Sequence, residues 1–250
     1  MGRLKEAAMA SKAAFRIIEN CLTCELRENR LFCNLPPDVL QSLQEMKTSS
    51  VYPKGTLLCL EGQAPRGIYV LCTGKAKLST TSAEGKSIIL RIAEPGEVLG
   101  LTAVVSNRPY ESTVETLEPS QANFIPQREF LRFIEEHSEV GMKVAQQLTH
   151  NCHCAYEEIR SLGLSNSVPE KLAKLILSWA EHPLEMNNAK LGEVPIRVTL
   201  TQEEIAQFVG TSRETVSRTL GHFKRKGWLR MKGATWWISN RAALEKMVTT

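Results

Sequence analysis

Two groups of residues in this chain have the types and the spacing that chemistry requires. The first is Arg213, Glu214, Ser217 and Arg218, four polar side chains within the stretch TQEEIAQFVGTSRETVSRTLGHFKRKG of residues 201–227. A guanidinium can donate two hydrogen bonds to the acceptor edge of guanine, and a carboxylate can accept one from cytosine. An Arg-Glu pair on the first turn of an exposed helix is therefore equipped to read bases in a major groove. The second group is Cys21, Cys24 and Cys33, a Cys-x2-Cys pair followed closely by a third thiol. With no export signal to put them in an oxidising compartment, such thiols act as metal or cluster ligands or as redox sensors, not as a disulfide framework.

The first group needs two helices to hold it. Thr201 caps the first, Glu204 completes a capping box, and Ile205, Ala206 and Val209 form its apolar face. Gly210 ends that helix, and Thr211 or Ser212 caps a second whose Val216, Leu220 and Phe223 repeat at helical spacing and point inward. This is a helix-turn-helix pattern. Between residues 213 and 232 the basic side chains Arg213, Arg218, Lys224, Arg225, Lys226, Arg230 and Lys232 face Glu214 alone, although the net charge of the chain is only +4. Such a local concentration suits phosphate neutralisation better than a membrane surface. Thr211, Ser212 and Lys224 complete the expected DNA-binding set. Downstream, Lys232-Gly233-Ala234 is read as a hairpin turn forming a wing. Trp236 and Trp237 alternate faces there, with one expected in the core and the other near the DNA backbone, or both in the core.

Upstream, residues 1–20 can form a short helix, and NLPPDVLQSLQEM from Asn34 is a helix with Pro36 and Pro37 at its start and Val39, Leu40 and Leu43 buried. From Val51 to Pro126, short strand-like runs such as GIYVLCTG, SIILRIAEPG and EVLGLTAVV alternate with glycines, which indicates a β-roll. Residues 127–164 read as helical. Their second part repeats Ala145, Leu148, Cys152, Ala155, Ile159 and Leu162 at coiled-coil spacing, the seam of a homodimer unless it packs on its own roll. Gly163, Ser165, Asn166, Ser167 and Pro169 make a hinge; a helix over 171–181, a polar loop over 182–194 and a strand over 197–200 then lead to the helix-turn-helix. The expected class is α+β, divided into a cysteine segment (1–34), a β-roll (35–133), a dimerisation helix (134–165) and a winged helix-turn-helix domain (166–250). No apolar run is long enough to cross a bilayer and residues 1–20 lack a signal-peptide core, so a cytoplasmic location without membrane contact is expected.

This order resembles the family of the cyclic AMP receptor protein and the oxygen sensor FNR, most specifically through GTSRETVSRTLGHFKRKGWL, PKGTLLCLEG, IYVLCTGKAKL and PGEVLGLTAVV. The resemblance implies that Arg213, Glu214 and Arg218 read bases of a palindromic double-stranded site and that RNA polymerase is a partner. Arg-Glu-Thr-Val-x-Arg matches the cyclic AMP receptor pattern that reads TGTGA, and Glu214, Ser217 and Arg218 match the FNR pattern that reads TTGAT. The GA step is common to both, and the outer bases stay open.

For the effector, a gapless comparison puts Leu101 where cyclic AMP receptors carry the ribose-binding Glu and Glu111 where they carry the phosphate-binding Arg; Ser112 alone is retained. Cyclic AMP in the usual mode is not expected. Cys21, Cys24 and Cys33 resemble the FNR cysteines, which hold a four-iron four-sulfur cluster with a fourth cysteine from the β-roll. Here the second gap is longer than in the FNR type, and Asn123 stands at the fourth position, so no fourth ligand is assigned. Zinc, thiol–disulfide switching or no cofactor are the alternatives, as is a small-molecule effector bound between Gly96 and Ser112. Cys59 and Cys72 in strand-like runs and Cys152 and Cys154 on the dimer helix are each available as a ligand but read first as buried apolar-like cysteines, and Cys152 also has the option of meeting its symmetry mate. A roll metalloenzyme needs histidine ligands, and His137, His150, His153, His182 and His222 all fall outside the roll; the chain is read as a non-enzyme.

Overall fold

The computed structural model describes residues 17–164, 167–180 and 192–248. The β-branched and aromatic runs of the first half form eight strands: β1 (Thr48–Tyr52), β2 (Leu57–Cys59), β3 (Gly67–Thr73), β4 (Ala76–Thr81), β5 (Ser87–Ala93), β6 (Val98–Leu99), β7 (Thr113–Thr116) and β8 (Ser120–Pro126). They make two antiparallel four-stranded sheets, ordered β1-β8-β3-β6 and β2-β7-β4-β5. The expected roll is present and begins three residues before Val51, at Thr48.

The run after Gly100 departs from the strand expected of EVLGLTAVV. Gly100 has φ +76, a conformation that turns the chain out of β6, and Leu101–Ser106 is a helix, α2, burying Leu101, Ala103 and Val104. A short apolar run cannot by periodicity alone tell a buried strand from a buried helical turn. Helix α1 (Pro37–Met46) buries Val39, Leu40 and Leu43 as expected. Residues 127–164 form two helices, α3 (Gln127–Glu136) and α4 (Ser138–Leu164), so the long helix starts at Ser138 and not at 134. The break falls at His137, whose backbone is extended; α3 buries Phe130 and Phe133, and Val140 and Val144 of α4 join the same core.

The second half contains α5 (Val168–Trp179), β9 (Val194–Arg197), α6 (Gln202–Val209), α7 (Arg213–Arg225), β10 (Leu229–Lys232), β11 (Thr235–Ile238) and α8 (Arg241–Val248). Ser167 caps α5, Pro169 lies inside it, and Gly163 lies inside α4, so the expected hinge narrows towards Ser165 and Asn166, which lie outside the described residues. The strand expected over 197–200 ends at Arg197; it starts at Val194, pairing with β11. Helix α8, unanticipated in the sequence, starts where the Asn240 side chain accepts from the Ala243 N–H at 3.0 Å, and it packs on α5 through Leu244. Residues 17–20 have no regular structure; the rest of the short helix expected in 1–20, and most of the loop expected over 182–194, lie outside the described residues.

The two halves touch. Leu117 and Ile92 of the roll join the apolar core of the helical half. Beside them the Lys77 Nζ of β4 lies 2.8 Å from Glu204 Oε1 on α6 and 3.3 Å from Glu115 Oε2.

Candidate nucleic-acid interface and thiol cavity

The recognition unit is built from local rules. Thr201 and Glu204 form the expected reciprocal box: the Glu204 N–H donates to Thr201 Oγ1 at 3.2 Å, and the Thr201 N–H donates to Glu204 Oε2 at 2.8 Å. Gly210 sits at φ +70, the left-handed conformation that ends a helix with little penalty only for glycine. Ser212, not Thr211, is the cap of α7, its Oγ accepting from the Thr215 N–H at 3.3 Å. Val216, Leu220 and Phe223 bury the inner face.

That packing leaves Arg213, Glu214, Ser217 and Arg218 exposed together on the outer face, with Ser212 and Lys224 also exposed and Thr211 half-buried. A groove of about 890 Å³ runs along this face, lined by Ser212, Arg213, Glu214, Ser217 and Arg218 and also by Gln202, Gly221 and Arg225. Gln202 and Arg225 were missed in the sequence. Arg225 was recoverable, because 214, 218, 221 and 225 follow one another at helical steps on one face; Gln202 comes from the neighbouring helix and carries no local signal.

The wing turn is tighter than expected. Lys232 pairs with Thr235, so Gly233, at φ +57, and Ala234 alone make the turn. Trp236 and Trp237 are both buried, which removes the expected placement of one near DNA. Trp236 packs in the domain core. The Arg230 guanidinium lies 3.8 Å over the Trp237 ring and is itself held by Glu193 at 2.6 Å.

The N-terminal thiols lie on the other sheet. The segment from Ile18 to Cys21 is tied down by side chains of the roll and α1: Gln121 exchanges two hydrogen bonds with the Ile18 backbone at 2.6 and 2.7 Å, and Gln44 Oε1 accepts from the Cys21 N–H at 3.0 Å. From there the chain returns through a single 3-10 turn at Arg27–Asn29 to Phe32, which is fully buried with its ring centroid 6.1 Å from that of Phe130 on α3. Cys21, Cys24 and Cys33, all half-buried, thereby come together around a small cavity of about 20 Å³. Burial raises the Cys21 thiol, and burial pushes Cys33 up to about 12, the nearby Cys72 thiol adding to the shift. Among the described residues, no three Cys, His, Asp or Glu side chains converge tightly enough to hold a single ion. Asn123, at the position expected for a fourth cysteine, is buried; it donates from Nδ2 to Cys21 Sγ at 3.8 Å and accepts from Ser49 Oγ at 2.6 Å.

Two known families match the two halves of the chain: a cyclic nucleotide-binding domain over residues 50–137 and a Crp-like helix-turn-helix domain over residues 170–247. The chain belongs to the CRP/FNR family of transcription regulators. Among curated relatives it is 26% identical over 216 residues to the CRP-like cAMP-activated global transcriptional regulator of Mycobacterium tuberculosis, covering 86% of this chain and 95% of that one. It is 22% identical over 191 residues to the Anaerobic regulatory protein of Bacillus subtilis, covering 76% and 79%. In fold it is similar to the c-di-GMP responsive regulator CLP of Xanthomonas campestris, with TM-score 0.72 and 16% identity over 82% of this chain and 100% of that one. FixK2 of Bradyrhizobium japonicum gives TM-score 0.68 and 20% identity over 80% and 96%. As a CRP/FNR regulator the chain is a DNA-binding protein, not an enzyme. No helix among the described residues is long and apolar enough to cross a membrane.

The positions by which this regulator differs from cyclic AMP binders fall as follows. Leu101 is sealed in the roll core, and Glu111 and Ser112 line a separate cavity of about 410 Å³ between the roll and α4, together with Arg91 and Cys152. On α4, Ala145, Cys152, Ala155 and Ile159 are exposed and Leu148 is half-buried; the Leu162 side chain lies outside the described residues. Cys59 and Cys72 are buried, as expected of apolar-like cysteines, whereas Cys152 is exposed and Cys154 half-buried with its Sγ 3.6 Å from His150 Nε2.

Proposed function

We propose that this regulator is a cytoplasmic homodimer that reads palindromic DNA through α7, acts with RNA polymerase, and responds to oxygen, nitric oxide or redox state through an iron–sulfur cluster at Cys21, Cys24 and Cys33. The observation that carries the effector reading is the shared cavity of those three thiols. Clusters are held by thiolates spread around a cube, an arrangement looser than the tight convergence that one zinc ion demands. The relative named an anaerobic regulatory protein points the same way. When bound, the cluster supplies the redox chemistry; this chain supplies the thiols and a packed route away from them, since Phe32 meets Phe130 on α3 and α3 leads into α4.

A second copy is the natural partner for the outer face of α4, where Met142, Tyr156 and Ile159 stand exposed, Ile159 at 64%. A two-fold pair of α7 helices then meets half-sites one DNA turn apart. Arg213, Glu214 and Arg218 read the GA step, and Ser217 shares in choosing the outer bases. The test is anaerobic purification followed by iron, sulfide and zinc analysis, repeated on Cys24→Ala. Iron and sulfide in the wild type and little of either in the variant are expected; zinc alone, or no metal, refutes the cluster.

The cavity of about 410 Å³ favours one second reading, a small-molecule effector held by Arg91, Glu111 and Ser112. Cyclic AMP in the usual mode does not suit it, because the Glu111 carboxylate repels a phosphate and Leu101 is committed to the core. Calorimetric titration with cyclic AMP is expected to show no heat of binding.

A further inference from the structure

We propose that Cys72 of β3 is the fourth protein ligand, completing with Cys21, Cys24 and Cys33 a four-thiolate site for an iron–sulfur cluster. The proposal rests on the cluster reading above and names the roll cysteine that the resemblance calls for and the sequence leaves unassigned. Cys72 lines the same cavity as the other three thiols. Val70 of β3, which pairs with Asn123 of β8, lines it as well; Cys72 falls at the bulge between Leu71 and Thr73, where the register of β3 on β8 shifts. The thiol expected on β8 has thus moved one strand over, and Asn123 serves as a hydrogen-bond donor to Cys21 sulfur.

A second, independent feature points to an anionic occupant. Arg30 also lines the cavity and is only 9% exposed, and among the described residues no carboxylate pairs with it. Its stem lies against Gly96, where a Cβ would come within 2.8 Å of Arg30 Cγ. A cluster held by four thiolates carries net negative charge, and a buried guanidinium beside it offsets that charge. Cys59 makes the contrast: it is equally buried but belongs to the other core cluster of the roll, beside Tyr110.

The donor set fits a cluster; the cavity, about 20 Å³, holds no more than a water. Loading therefore requires the 22–33 segment to swing outward, carrying Cys24 and Cys33 while Cys72 stays fixed in the sheet. That segment has one 3-10 turn as its regular structure. When an already assembled cluster is delivered by a thiol carrier, each thiol exchanges its S–H bond for an S–Fe bond, and its proton passes to the carrier thiolate that it displaces.

The experiment uses the full chain purified anaerobically and reads iron and sulfide per chain with the visible absorption spectrum. Wild type and Cys59→Ser are expected to load; Cys72→Ser and Cys24→Ser are expected to lose most of their iron and sulfide. An unloaded wild type removes the cluster reading and this proposal together. A loaded wild type with an equally loaded Cys72→Ser removes this proposal alone. Should Cys72→Ser fail to fold, maleimide labelling of the wild type decides: Cys72 is expected to be shielded when loaded and, after chelation, to react faster than Cys59, whereas labelling unchanged by chelation overturns the proposal.

Discussion

The recognition unit and the thiol cavity are both small polar sites on apolar supports, but they are assembled in opposite ways. Every side chain on the outer face of α7 comes from one helix, and its exposure is decided by the neighbours three and four residues away that point inward. The thiol cavity takes three sulfurs from an irregular loop and a fourth from a strand in the middle of a sheet, and is closed by α1 from a third direction. A face built on one helix presents its readers together once that helix forms and packs, although Gln202 of α6 joins the groove from outside it. A site built across a loop and a sheet depends on tertiary docking; under the proposed function an occupant would change how the loop is held, and the loop reaches α3 through Phe32.

If this contrast is right, damage to one region leaves the other intact. The largest effect is expected from Phe223→Ala, which empties the core under α7 and should cost about 3–5 kcal/mol. A lowered unfolding transition and loss of operator binding are expected, with iron content per folded chain unchanged; loss of iron as well would show that the two sites are one cooperative unit. Next, Arg218→Ala should cost about 1–3 kcal/mol of discrimination in competition binding while the melting temperature holds. Retention of full operator preference would remove that residue from the base-reading set.

The contact between the halves offers a smaller handle. Burial disfavours the charges of both Lys77 and Glu204, but their mutual hydrogen bond and attraction outweigh it, so Lys77 is raised above and Glu204 held below the ordinary values. Glu204 therefore contributes stability that is present above its unfolded value and lost as the pH falls through its depressed folded value; Lys77 contributes below its unfolded value and loses it as the pH rises through its raised one. The contact should be fullest around neutrality and loosen in acid. Amide exchange across residues 202–209 is expected to quicken at acid pH in the wild type, and to be already faster at neutral pH in Lys77→Met. The smallest effect belongs to Lys224→Ala, which should weaken all DNA sequences alike and reduce the salt dependence by about one phosphate contact. A selective loss at one sequence would make Lys224 a reader.

Much of this was legible because it is local. The capping box at Thr201 and Glu204, the Gly210 stop and the inward Val216, Leu220 and Phe223 are set by side-chain and backbone preferences within a few residues. The strands of the roll were visible through β-branched runs and glycine turns. The misses have a common cause. LTAVV after Gly100 is apolar enough to be strand or helix, and the turn at Gly100 together with burial decided for helix. One of Trp236 and Trp237 was offered to DNA, with both in the core as the alternative; both are buried, Trp237 under Arg230. Helix α8 owes its face to α5, far earlier in the chain.

The sequence by itself determined the family, the order of elements, the residues facing outward from α7 and the three thiols that open the chain, because each is a matter of residue type at short spacing. Only the tertiary structure decided that Gln202 joins the groove, that α6 is bridged to the roll through Lys77, and that Cys72 shares a cavity with Cys21, Cys24 and Cys33. Those three follow from strand register and docking between elements. Register is fixed by how whole faces bury against one another, and no local spacing carries that information.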